Sequence, residues 1–192
     1  MRTSLIAALL CAAGLVFACG CAPPSDKEQK LFLEYKAKAE KGDVKAQNSL
    51  GLCYNTGYGV KQNNTEAVKW YRKAAEQNDA TAQYNMGICY YDGEGVEKDY
   101  VEAVKWFRKG AEQNDAEAQY SLGFCYANGQ GLEKDYVEGY AWVILAAKTD
   151  EKSVKDRGLL ENAMSSQQVA DAQKRTKELR AQIEAKLKSG SK

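Results

Sequence analysis

Three cysteines, Cys53, Cys89 and Cys125, recur at intervals of 36 residues. Each is followed by a tyrosine and, a few positions on, by a G-x-G turn. The stretch GICYYDGEGVEKDYVEAVKW (87–106) gathers a thiol, a tyrosine pair, Gly93 and Gly95 and several carboxylates within twenty positions. Two chemistries would use such a set: a glycine-rich loop holding a phosphate, or a thiolate acting as nucleophile. A phosphate loop needs a strand before it, and a P-loop also needs Lys-Ser/Thr after it; neither is present. The 192 residues contain no histidine, which removes Ser-His-Asp and Cys-His mechanisms and the usual zinc sites except all-thiolate ones. No evident cation is placed to lower a thiol pKa, so the three cysteines read as small buried hydrophobes. The sequence predicts no catalytic residue, no cofactor and no metal.

The elements that carry these residues are helices. Both prolines, Pro23 and Pro24, precede a long stretch rich in Ala, Lys, Glu and Gln, which reads as all-α. Lys+Arg number 27 against 26 for Asp+Glu, so no long-range field draws the chain to nucleic acid. Shifted by 36 residues, 43–78 matches 79–114, which matches 115–150. A fixed period of this length predicts a solenoid whose units bury their apolar faces against each other. A catalytic centre is rarely built three times over; a packing rule is.

Each recurring residue has a predicted structural task. Asp43, Asp79 and Asp115 cap the first helix of each unit. Ala46, Leu50, Cys53 and Tyr54 form one helical stripe. Gly51, Gly87 and Gly123 fall mid-helix at a cost of about 1 kcal/mol each relative to Ala, which close helix approach would offset. The pairs Gly57/Gly59, Gly93/Gly95 and Gly129/Gly131 end the first helices in left-handed backbone. Asn63, Asp99 and Asp135 cap the second helices, with Glu66, Glu102 and Glu138 expected to complete capping boxes. Gly42, Asn78 and Asn114 close the second helices.

The string A-x-x-L-G-x-C-Y-x-x-G-x-G-V-x-x-D-Y-x-E-A-V-K-W-(Y/F)-x-K-(A/G)-A-E resembles the Sel1-like repeat, a relative of the tetratricopeptide repeat, strongly over residues 34–148. The resemblance implies a right-handed α-solenoid of antiparallel helix pairs that binds another protein. Residues 28–41 resemble a lone second helix opening the array, and 136–172 a bacterial closing segment. In tetratricopeptide-like arrays the first helices line a groove for peptide segments. The positions so implied are Tyr84, Ile88 and Tyr91, with their equivalents Asn48, Leu52, Asn55, Tyr120, Phe124 and Ala127. Some secreted members carry a second cysteine per repeat that pairs with the first; that partner is missing here. A cysteine-rich branch is linked to penicillin binding and β-lactamase activity, which makes such a hydrolase the alternative. Its S-x-x-K occurs only as Ser189–Lys192 in the polar tail, and K-T-G is absent.

MRTSLIAALLCAAGLVFACGC carries one basic residue, Arg2, and an apolar run from Leu5 to Ala18, the pattern of a secretory signal. Val16-Phe17-Ala18-Cys19 and Ala18-Cys19-Gly20-Cys21 both resemble the signal-peptidase II box of bacterial lipoproteins. That resemblance implies an acylated first mature residue: Cys21, which has the better small residue before it, or Cys19, which has the better apolar residue three back. No Asp follows either cysteine, so the enteric inner-membrane retention signal is absent and the outer membrane, facing periplasm or surface, is expected. Cleavage after Ala18 to give a secreted, non-lipidated factor is the competing reading. Residues 22–27 would be a tether, 28–188 the repeat domain with a C-terminal cap over 151–188, and 189–192 a disordered tail. A helix is expected from Ser165, boxed by Gln168, with Val169, Ala172, Thr176, Leu179, Ile183 and Leu187 as its packing seam.

Overall fold

The computed structural model describes residues 25–146, 158 and 160–190. The proposed signal and both lipoprotein-type cysteines lie outside the described residues, as do Lys192 and the tether as far as Pro24. Regular structure among the described residues is helical: α1 (Asp26–Glu40), α2 (Val44–Thr56), α3 (Asn64–Glu76), α4 (Ala80–Asp92), α5 (Tyr100–Ala111), α6 (Ala116–Asn128), α7 (Tyr136–Ala146) and α8 (Ser166–Gly190). Successive helices from α1 to α7 pack on one another, and α8 packs on α7. The pairs α2–α3, α4–α5 and α6–α7 are therefore the three units.

Within each unit the mid-helix glycine receives a large side chain of the second helix. A methyl group added at Gly51 would stand 2.6 Å from the Tyr71 ring, and one at Gly87 would overlap the Phe107 ring. At Gly123 the occupants are Val143 and the Gly139 carbonyl. Tyr71 and Phe107 are 3% and 1% exposed, which is what the missing Cβ makes possible.

Between units the second glycine of each G-x-G turn provides the seat. Gly95, at φ +75°, lies against the Asn64 carbonyl and 2.9 Å, measured from an added Cβ, from the Thr65 nitrogen. Gly131 meets Tyr100 in the same way, and Gly59 meets Glu28. Gly59 thus places α1 where the second helix of an earlier unit would stand. The first glycine of each turn, φ +70° to +79°, closes its helix: Gly93 donates to the Cys89 carbonyl at 2.9 Å.

Asp43, Asp79 and Asp115 accept from the amides of Ala46, Ala82 and Ala118 at 2.8, 2.8 and 2.9 Å. Asn63, Asp99 and Asp135 likewise cap the second helices. The expected reciprocal half of these boxes is not formed. The amides of Asn63, Asp99 and Asp135 donate instead to the carbonyls of Tyr54, Tyr90 and Tyr126, at 2.8 to 2.9 Å. A backbone carbonyl at the end of the preceding helix already satisfies that donor, so the glutamates turn outward: Glu66 and Glu102 pair with Lys69 and Lys105, and Glu138 with Arg175.

At the C-terminus, Ser165 and Gln168 do form a box, the serine amide donating to Gln168 Oε1 at 2.9 Å. Ala172, Thr176, Leu179 and Ile183 are buried, Leu179 and Ile183 joining Trp142 in one core cluster, while Leu187 is exposed. The helix runs on through Ser189 and Gly190, where disorder was expected; Ser189 Oγ donates to the Lys186 carbonyl at 2.8 Å and continues the last turn.

Candidate partner-binding groove

The first helices α4 and α6 run side by side, and their facing side chains leave an apolar hollow of about 270 Å³. Ile88 and Tyr91 come from α4, Tyr120, Ser121 and Phe124 from α6, and the buried Phe107 ring of α5 forms the floor. The glycine at 87 is what lets Phe107 rise that far between the helices. Tyr120 and Phe124 also border a second hollow of about 320 Å³, walled by Tyr136 and Val143 of α7 and by Leu160 and Ala163. The two hollows share a wall, so together they make one groove along α6. Phe124 is 43% exposed, a large ring left half in water.

The side chains singled out from sequence are distributed unevenly. Ile88, Tyr91, Tyr120 and Phe124 line the first hollow, and Ala127 borders the second. Tyr84 lies beside the groove and packs on Phe107, ring centroids 6.1 Å apart. Burial pushes its phenol pKa up, and the nearby Glu117, Asp115 and Asp92 carboxylates add to the effect. Leu52 stands 51% exposed at the equivalent position of the first unit. Asn48 and Asn55 are occupied in joining units: Asn85 donates to Asn48 at 2.9 Å, and Asn55 donates to Glu94 at 3.0 Å. One unit further on, Tyr91 makes the equivalent link to Gln130 at 2.9 Å, which fixes its ring at the groove edge.

Phe107, Ser121 and Tyr136 are groove residues that the sequence reading left out. The W-(Y/F) pair recurring 36 residues apart was the available signal for Phe107. Also unread were Gln47, Gln83 and Gln119, polar residues in the apolar stripe and 5%, 2% and 1% exposed. Each donates to a carbonyl at the end of the preceding second helix (Ala39, Ala75, Ala111), at 3.2 to 3.3 Å. Gln77 and Gln113 donate in turn to Gln47 and Gln83 at 2.7 Å. Buried amides so satisfied fix the register of the stack.

Cys53, Cys89 and Cys125 are free and buried, each in the core cluster of its own part of the stack. Burial pushes the Cys89 thiol up to about 12 and the Cys125 thiol up to about 11 from 9.0. These thiols therefore stay protonated at neutral pH and serve as packing. Among the described residues no three His, Cys, Asp or Glu side chains are grouped to hold a metal ion, and no helix is long and apolar enough to cross a membrane.

With this geometry in hand, the chain can be set beside known proteins. A protective antigen present in uropathogenic Escherichia coli strains, displaying an SLR fold, superposes with a TM-score of 0.74 at 34% identity, covering 79% of this chain and 33% of that one. A Sel1 repeat protein from Oxalobacter formigenes superposes with a TM-score of 0.65 at 40% identity, covering 69% of this chain and 55% of that one. DAP3-binding cell death enhancer 1 of Rattus norvegicus is 42% identical over 50 residues, 26% of this chain and 10% of its own length. The chain thus spans a third, about half and a tenth of these relatives. The Sel1 repeat model matches residues 44–79, 80–115 and 116–148, and with these three tandem matches the chain belongs to the Sel1 repeat family.

Proposed function

We propose that this Sel1-repeat array is a protein-interaction scaffold that holds a segment of another protein in the groove along α6. The observation that carries the reading is the apolar hollow lined by Ile88, Tyr91, Tyr120 and Phe124 over the buried Phe107, in which Phe124 stays 43% exposed. Water expelled from these rings by an apolar segment would supply the affinity, and the fixed Tyr91–Gln130 bond spares the ordering cost on the array's side.

The paired variant Ile88→Ala/Phe124→Ala tests it. Both side chains are partly exposed, so the expected cost in stability is only about 1–2 kcal/mol. Capture of the wild-type crosslinked partner from intact cells is expected to fall about tenfold or more. Unchanged capture, or a collapse of the fold showing these side chains to be core, contradicts the assignment.

We place the array in the bacterial cell envelope, exported and anchored to the outer membrane through acylated Cys21, or Cys19. The apolar run Leu5–Ala18 and the two boxes that follow it support this. Replacing Cys19 and Cys21 together by Ala is expected to release the protein from the membrane fraction. Retention of the double variant in that fraction refutes acylation.

A further inference from the structure

Away from the groove, α8 meets α5 and α7 around a cleft of about 160 Å³. Arg108 and Glu112 of α5, Trp142 of α7, and Arg175, Gln182 and Lys186 of α8 line it. Two of the three cations are already paired. Lys186 holds Glu112 at 2.5 Å, and Arg175 holds Glu138 at 2.5 Å and Glu178 at 3.4 Å. Arg108 differs. Its guanidinium donates to the Tyr126 hydroxyl at 2.8 Å and lies 5.6 Å from that ring, and no carboxylate pairs with it among the described residues.

Trp142, part of the cleft wall, carries an orphan donor that is covered in this structure. Trp142 is 3% exposed, and its indole Nε1–H is the one buried side-chain polar atom without an acceptor among the described residues. A buried N–H left unpaired costs stability, and an oxygen brought to it recovers the loss. Besides the buried Leu179 and Ile183, α8 contributes Arg175, Gln182 and Lys186 to the cleft, long side chains whose rotation opens it once the exposed Lys186–Glu112 pair parts. The arrangement is not a by-product of the repeat. One unit earlier Arg72 donates to Tyr90 at 2.9 Å, and Trp106 leaves no such orphan; only at this end does α8 supply a second wall.

We infer that this cleft binds a carboxylate, one oxygen accepting from the Arg108 guanidinium and the other from the Trp142 indole, with the Gln182 amide contributing a further donor. A planar guanidinium fork matches a carboxylate, and an indole N–H can only donate, so both groups select the same ligand chemistry. The carboxylate comes either from a free small acid or from the C-terminus of a peptide.

The indole N–H signals in an NMR spectrum of the full chain test this, with Trp142 assigned by difference from Trp70→Phe and Trp106→Phe. Succinate, a dipeptide with a free C-terminus and the same dipeptide amidated are titrated in turn. The Trp142 signal is expected to move and saturate with succinate or the free dipeptide and to stay put with the amide. Tighter binding of the dipeptide identifies a chain terminus as the source, and tighter binding of succinate a free acid. Arg108→Gln is expected to weaken binding about tenfold or more. Arg108→Lys keeps charge and stem but loses the fork, and is expected to weaken it several-fold; it decides the matter if the glutamine variant fails to fold. No movement of the Trp142 signal with either acid, or equal affinity in the arginine variants and the wild type, overturns the proposal.

Discussion

Gly95→Ala is expected to destabilise the array by about 3 kcal/mol, read as a fall of roughly 10 °C in the melting temperature followed by circular dichroism. Two penalties combine. The residue sits at φ +75°, where a side chain is strained, and the added Cβ would overlap the Asn64 carbonyl. Asn64 opens α3, so the obstacle is backbone and cannot rotate away. Relief requires the second unit to lift off the first, which exposes the shared core of Ala67, Tyr71, Met86 and Cys89. Gly42→Ala is the control: it is also left-handed, φ +91°, but nothing lies within 4 Å of its added Cβ. It is expected to cost about 1 kcal/mol, the backbone strain alone. Equal losses in the two variants would mean that the seat between units contributes nothing.

Phe107→Ala is expected to cost about 3–5 kcal/mol, the range for emptying a buried aromatic site. The ring is 1% exposed, fills the notch left by Gly87 and stands against Tyr84 and Tyr91 at 6.1 and 6.3 Å between centroids. Its loss opens a cavity beneath the groove, so Tyr91 and Ile88 lose their floor as well as a packing partner. Stability and partner capture should fall together, in contrast to the Ile88/Phe124 pair, where capture alone is affected strongly. Denaturant unfolding measures the first effect. A loss under about 1 kcal/mol would show that the ring is not the keystone of the second unit.

The helices and their ends were legible because each depends on chemistry within a few residues. Asp79 caps because its carboxylate reaches the Ala82 amide three positions on, and Gly93 closes α4 because its own backbone takes the left-handed form. The mid-helix glycines pointed to close packing, and the rings of Tyr71 and Phe107 fill those notches. Features requiring a partner on another helix were not legible. Asn48 and Asn55 stand at the groove positions of the first unit, and their bonds to Asn85 and Glu94, 37 and 39 residues on, form only once units stack. Glu66 and Glu102 have the spacing of a capping box; the tyrosine carbonyl that takes the donor first belongs to the preceding helix. The buried glutamines illustrate the same limit, since a polar residue in an apolar stripe is satisfied or not according to what the neighbouring unit offers.

The groove assignment is tested most directly by a photoreactive phenylalanine analogue placed singly at positions 88, 120 and 124, and at exposed positions 69 and 105 on the second helices. Illumination of intact cells is expected to join the same partner from 88, 120 and 124 and none from 69 or 105. The same partner crosslinked equally from 69 and 105, or no product from the three groove positions, would contradict the account.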